Sequence, residues 1–195
     1  MIKKLLLIPA VFILFTSLHA RASEQYVIDT RGMHAFITFK IKHLGFSWLQ
    51  GRFDKFSGDF SYDKQNPANN QVSLSIDINS IDSNHAERDR HLKSERFFDA
   101  DRFPQARFVS TGWKDLGDNK ATLSGKFTLR GITQDIQIDV TQTGAGKDPW
   151  GGFRRGFEGT TTLQLADYKM KEGDTLGSAA GQVDIWLSVE GVRQK

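Results

Sequence analysis

Cysteine is absent from all 195 residues. Its absence excludes disulfide staples, thiol nucleophiles, dithiol redox exchange and thiolate metal sites in one step, so the fold must hold by packing. Proline is scarce, with four in the chain, so few positions forbid ladder hydrogen bonding. The apolar run Leu5–Phe15 covers 11 residues, short of the roughly 20 needed to span a bilayer as a helix. An excess of one charge is missing too, once the first residues are set aside. Lys3, Lys4 and Arg21 lie in the first 22 residues, where there is no acid; beyond them the 26 basic residues fall to 23, equal to the 23 acidic ones. A near-neutral chain gives no electrostatic reason to expect nucleic acid or another polyanion as partner.

Catalytic signatures are also missing. There is no G-x-S-x-G elbow, no H-E-x-x-H, no glycine-rich phosphate loop ahead of a helix and no EF-hand spacing. His85 and His91 are about 240° apart on a helix, so they cannot share a metal unaided. His85 with Asp89, or Glu87 with His91, could each offer two ligands, although capping and ion pairing explain the same residues. Asp99 and Asp101 could serve as an acid–base pair or simply satisfy loop N–H groups. No metal site and no catalytic set is assigned.

What is present begins with a leader. Met1-Ile2-Lys3-Lys4, then Leu5–Phe15, then Ala20-Arg21-Ala22 before Ser23 is the order of a secretory signal peptide, with cleavage expected after Ala22. With no cysteine there is no lipobox. Residues 23–195 then form one exported domain.

Within that domain strand patterns dominate. Ala35, Ile37, Phe39 and Ile41 alternate with Phe36, Thr38, Lys40 and Lys42. The sets Phe56/Gly58/Phe60/Tyr62, Val72/Leu74/Ile76/Ile78, Leu123/Gly125/Phe127/Leu129, Ile136/Ile138/Val140, Gly159/Thr161/Leu163/Leu165 and Val183/Ile185/Leu187/Val189 repeat the period of two. The spacing predicts eight or nine antiparallel strands with hairpin connections, and closure into a barrel removes both sheet edges. Inward glycines opposite aromatic residues favour an interior left partly open.

One helix is expected over Asn84–Phe98, with Asn84 as N-cap and Glu87 as its capping-box partner. Its apolar residues make no clean stripe. His85, Asp89, Leu92 and Arg96 share a side that either faces water or joins a network across the end of the sheet. Two connections carry large apolar residues: Phe46, Trp48 and Leu49 between glycines, and Trp150 in a Pro-Trp-Gly-Gly turn. These either pack under the rim or form the lip of a cavity.

Six segments in order resemble the YceI-like family: His43–Gly51, Asn84–Leu92, Phe103–Phe108, Gly125–Thr133, Asp148–Gly152 and Ser188–Val192. The likeness is to the periplasmic, signal-bearing enterobacterial type. It implies an all-β, extended, lipocalin-like antiparallel eight-stranded β-barrel with one helix near an end and an apolar internal cavity. It further implies that the cavity holds a long polyisoprenoid, an isoprenoid quinone or prenyl phosphate-like lipid, with no established enzymatic activity and no cofactor beyond the bound lipid. Strand parity assigns Ile37, Phe39, Phe60, Leu74, Ile76, Leu123, Phe127, Ile138, Leu163, Ile185 and Leu187 to the cavity wall. A polar head group would sit at a mouth near His43, Arg88, Asp89 or Arg155, with Phe46, Trp48 and Trp150 as apolar lip. The expected partner is an isoprenoid lipid with transient membrane contact; monomer and homodimer both stay open. Two other readings remain: an enzyme acting on such a lipid through a rim histidine or carboxylate, and a structural or stress module with a filled barrel.

Overall fold

Apolar alternation becomes strand throughout the computed structural model, which describes residues 23–170 and 181–195. The expected leader, residues 1–22, and nearly all of the glycine-rich stretch expected to be irregular at 169–181 lie outside the described residues. The strands are β1 (Glu24–Ile28), β2 (Phe36–His43), β3 (Ser47–Phe53), β4 (Phe56–Tyr62), β5 (Gln71–Asp77), β6 (Ile81–Asp82), β7 (Gln105–Gly117), β8 (Lys120–Leu129), β9 (Ile132–Lys147), β10 (Phe153–Gln164) and β11 (Gln182–Arg193). One helix, α1 (Ala86–Lys93), follows β6.

All pairings are antiparallel, and β1 meets β11 to close the sheet. Eleven segments make eight staves because three staves are bent. Both β1 and β2 pair with β11, β4 and β3 pair with those two in turn, and β5 and β6 pair with β4 and β3. Bends at residues 29–35, 54–55 and 78–80 thus divide the barrel into a base, closed through β1, β4 and β5, and an upper end built by β2, β3 and β6. At the upper end the sheet order stops at β6, which pairs with β3 only, whereas β5 below it pairs with β7.

The first bend is tied down on the outside. Arg154 Nη1 donates to Asp29 Oδ2 at 2.6 Å and to Glu190 Oε1, and its Nε donates to Asp148 Oδ2 at 3.0 Å. The Arg154 guanidinium, with the Gly32 N–H, holds the Asp29 carboxyl at about 2, below its ordinary value of 3.8. A lowered folded-state pKa gives stability that is present above the unfolded value and lost as pH falls through the folded one. Urea midpoints should therefore decline between pH about 4 and about 2, and Arg154→Ala should flatten that limb; an unchanged slope in the variant would contradict the assignment.

Two expectations need correction. The stretch Leu44–Gly51, read as a connection, is a tight turn followed by β3: Phe46 N–H donates to His43 O at 2.9 Å, with Leu44 at φ 51° and Gly45 at φ 81°. Both central residues of such a hairpin turn need positive φ, and leucine in place of the usual asparagine or aspartate hides the signal. The helix is also shorter than expected. Asn84 takes φ 61° and is not the cap; His85 is, its Nδ1 accepting from Arg88 N–H at 3.1 Å. Ser94 leaves helical geometry, so Phe97 and Phe98 come off a turn that folds back on the barrel, with Phe98 N–H donating to Leu92 O at 3.0 Å.

Candidate functional site: an apolar cavity along the barrel

Strand parity sends one side chain in two inward, and these side chains do not fill the interior. A cavity of about 590 Å³ remains, inside the range of about 300–1,000 Å³ usual for small-molecule sites. All eleven residues assigned to the wall line it: Ile37, Phe39, Phe60, Leu74, Ile76, Leu123, Phe127, Ile138, Leu163, Ile185 and Leu187. Ladder register stacks them in levels. Leu187 faces Ile37 and Gly159 on its two neighbours, and Ile185 faces Phe39 and Thr161 one level up.

Glycine shapes this wall differently from the sequence reading. A Cβ at Gly51 would meet Phe39 Cζ at 2.4 Å, one at Gly125 would meet Phe108 Cζ at 2.3 Å, and one at Gly191 would meet Phe60 Cε1 at 2.4 Å. Each of these three is therefore filled by a ring lying against the wall, whereas Gly58 and Gly159, also read as inward, meet the aliphatic side chains of Ile28 and Leu74 and of Ile138 and Leu187 instead. Gly51, Gly125 and Gly191 do not themselves form the open space but let bulky rings lie back from the axis, while Gly159 does line the cavity.

The base is sealed by aromatic packing. Tyr26 and Phe60 stack at 4.7 Å, while Phe60 and Trp113 meet the Phe157 ring edge-on at 5.5 and 5.8 Å. Beneath lies Arg155, expected at the mouth and placed instead at the opposite end. Counting by twos along β10 explains it: Arg155 shares the inward face of Phe157, Gly159 and Leu163, but on the base side of the strand. Its guanidinium donates to Tyr26 Oη (3.2 Å), Gln142 Oε1 (2.9 Å) and Glu24 Oε2 (3.0 Å) and lies 3.8 Å from the Tyr62 ring centroid. Burial pushes the Glu24 carboxyl upward, yet hydrogen bonds from Tyr26 and Arg155 outweigh it and leave the pKa lowered. Burial, helped by Glu24, raises the Tyr26 phenol.

The upper end carries most of the polar lining: His43 and Gln50 from β2 and β3, Ser83 after β6, and Arg88, His91 and Arg96 from α1 and the turn beyond it. Leu92, Phe97 and Phe98 complete a roof over this end. Of the expected mouth residues, His43 and Arg88 face the cavity and the other five do not. Asp89 turns away to accept from Ser83 N–H at 2.9 Å and from the Ser83 hydroxyl. Arg88 Nε donates to the same hydroxyl at 2.8 Å, so the polar side of α1 is a network and not merely a solvated face. Phe46 stands at the hairpin tip, Trp48 lies under Lys40 and Lys42, and Trp150 sits in the β9–β10 turn at the base with the Arg154 guanidinium 5.4 Å from its ring. Glycine-flanked aromatics in the sequence carry no information about which end of a barrel they occupy.

Metal-ligating groups come together at one place among the described residues: Asp29, His34 and Glu190, with ligand atoms within 4.8 Å of one another. Arg154 already donates to both carboxylates, and a cation there would meet the guanidinium charge. The two helical pairs weighed from sequence are also spoken for, the first by His85 as cap and Asp89 bound to Ser83, the second by Glu87 paired with Arg90 and His91 packed on the Phe97 ring.

Comparison with known proteins agrees with this geometry. The YceI-like domain pattern matches residues 26–191. A UPF0312 protein of Pseudomonas aeruginosa is 49% identical over 181 residues, covering 93% of each chain. Among solved structures, BcnA of Burkholderia cenocepacia superposes with a TM-score of 0.74 at 23% identity, covering 84% of this chain and 98% of its own. A polyisoprenoid binding domain from Saccharophagus degradans superposes at 0.62 with 16% identity, covering 87% and 98%. The family pattern runs from β1 into β11, the two strands whose pairing closes the barrel, and so takes in the cavity end to end: the chain belongs to the YceI-like family.

Proposed function

We propose that this protein binds and carries a long-chain polyisoprenoid, an isoprenoid quinone or prenyl phosphate-like lipid, along the barrel axis. The observation that carries the reading is an unfilled cavity of about 590 Å³ whose wall is mostly hydrocarbon, with most of its polar groups gathered at one end. Each methylene-sized group moved from water into such a wall gains about 0.8 kcal/mol. A chain of isoprene units is retained by burial alone, and a polar head group rests beside His43, Arg88, His91 or Arg96. The Saccharophagus likeness supports the ligand class. The reading places the mature chain, residues 23–195, in the periplasm after cleavage behind Ala22. It assigns a binding role with the lipid as ligand and no further cofactor.

The filled-barrel reading conflicts with the size of the cavity. Native mass spectrometry of protein purified without detergent tests the rest. A retained mass in a prenyl series is the expected result, and a wholly lipid-free protein would count against carriage. Turnover of a labelled prenyl phosphate by the pure protein would replace the carrier with an enzyme.

A further inference from the structure

The hairpin between β2 and β3 places three apolar side chains where the core cannot use them. Leu44 is 47% exposed, Phe46 88% and Trp48 46%. Single exposed apolar residues need no explanation, but three within five residues on one turn form a patch. The same hairpin also supplies His43 and Leu49 to the cavity lining, so the patch borders the mouth.

Its charges match its position. Residues 36–53 contain Lys40, Lys42 and Arg52 and no aspartate or glutamate. Lys40 and Lys42 stand 4.7 and 4.3 Å from the Trp48 ring centroid, their amino groups above an amphipathic indole. Lys40 also reaches Asp184 at 3.6 Å, and Arg52 is paired with Asp54 and Asp82. Across the mouth Arg88, His91 and Arg96 line the opening. Of the carboxylates there, Glu87 pairs with Arg90 and Asp89 is bound to Ser83, leaving Glu95 as the remaining acid of that segment. An aromatic tip flanked by lysines is the arrangement that partitions into the head-group region of a bilayer, with rings at the acyl boundary and ammonium groups toward lipid phosphates.

We propose that the β2–β3 hairpin docks the mouth of the barrel onto an anionic lipid bilayer. The proposal rests on the carrier reading and adds the partner: a membrane surface from which the lipid enters the cavity without crossing water. Phe46 is the anchor, Leu44 and Trp48 widen the contact, and Lys42 supplies the attraction to anionic head groups.

Flotation with phosphatidylglycerol-containing vesicles, compared with vesicles of phosphatidylcholine alone, tests it. Wild type is expected to float with the anionic vesicles and to release as salt shortens the screening length from about 8 Å toward about 3 Å. Phe46→Ser changes a side chain outside the core and should lower the bound fraction about tenfold; Lys42→Glu should lower it several-fold. Phe46 does not line the cavity, so Phe46→Ser should keep any lipid mass seen in native mass spectrometry. Wild type that ignores both vesicle types, or Phe46→Ser that floats as wild type does, overturns the proposal. A wild-type dimer that Phe46→Ser converts to monomer in sedimentation velocity also overturns it, since a second copy would then cover the tip. Docking without any retained lipid would overturn the carrier reading and leave docking in place.

Discussion

Leu74→Asp is expected to strip the barrel of its lipid and to destabilise the fold by about 3 kcal/mol or more. Leu74 sits midway along β5, opposite Gly58 on β4 and Phe108 on β7, and faces the cavity. Removing the leucine forfeits about 1.5–3 kcal/mol of apolar burial, and the carboxyl adds a desolvation cost because its register partners, Gly58 and Phe108, offer no side-chain donor. Loss of fold and loss of ligand are confounded in this variant, so a second one separates them. Leu187→Trp puts an uncharged ring at the level of Ile37 and Gly159, across the lumen. Filling existing space costs less than overpacking a full core, which runs to about 1–3 kcal/mol. A folded Leu187→Trp protein, judged by urea titration, should appear without lipid in native mass spectrometry. Retention of the same lipid mass would place the ligand outside the barrel.

Arg155→Ala is the second large effect, and it acts at the other end. Arg155 is 9% exposed and joins three inward acceptors from β1 and β9 while covering Tyr62. Deleting it leaves Glu24 with Tyr26 and Arg193 as partners and exposes the floor of the cavity. Removing one member of a mostly buried ion pair costs about 3–5 kcal/mol; partial exposure of Glu24 puts this case near the lower figure. The measurement is a double-mutant cycle with Glu24→Gln, read as urea midpoints. Strong coupling between the two positions is expected, with Glu24→Gln costing little in the Arg155→Ala background. Additive losses would mean that Arg155 acts through its stacking on Tyr62 alone. A lipid-bearing protein that leaks ligand in Arg155→Ala would show that the base is a true seal.

The barrel and its wall were readable from the chain because each rests on a strictly local rule. Parity assigned Leu187, Ile185 and Val183 to one face, and no later contact could reverse it. Position along the axis is not local, which is why Arg155 and Trp150 were placed at the wrong end: a period of two says inward or outward and nothing about height. The helix was expected near one end, but the apolar part of the roof was missed for a related cause. Leu92, Phe97 and Phe98 make no stripe on a helical wheel because the helix ends at Lys93 and the two phenylalanines arrive from a turn. The leucine at φ 51° concealed β3, since the only residue in the turn that announced positive φ was Gly45. Of the inward glycines taken as signs of open space, Gly159 does line the cavity, whereas Gly125 is filled by the Phe108 ring, because a sequence does not show that a ring can lie in the place of a missing side chain.

If the proposed lipid lies along the barrel axis, the stopping of the sheet at β6 bears on where it enters a closed stave barrel. In the base every stave is bonded to both neighbours, whereas the seam between β6 and β7 is bridged by α1 and its following turn, with no ladder between the two strands. The roof at that seam is held by side chains and loop hydrogen bonds, among them Arg130 Nη2 to Glu95 O at 2.8 Å, and by no strand ladder. On the carrier reading, the end that bears the greasy fingertip is therefore the one whose cover parts without breaking a hoop of the vessel.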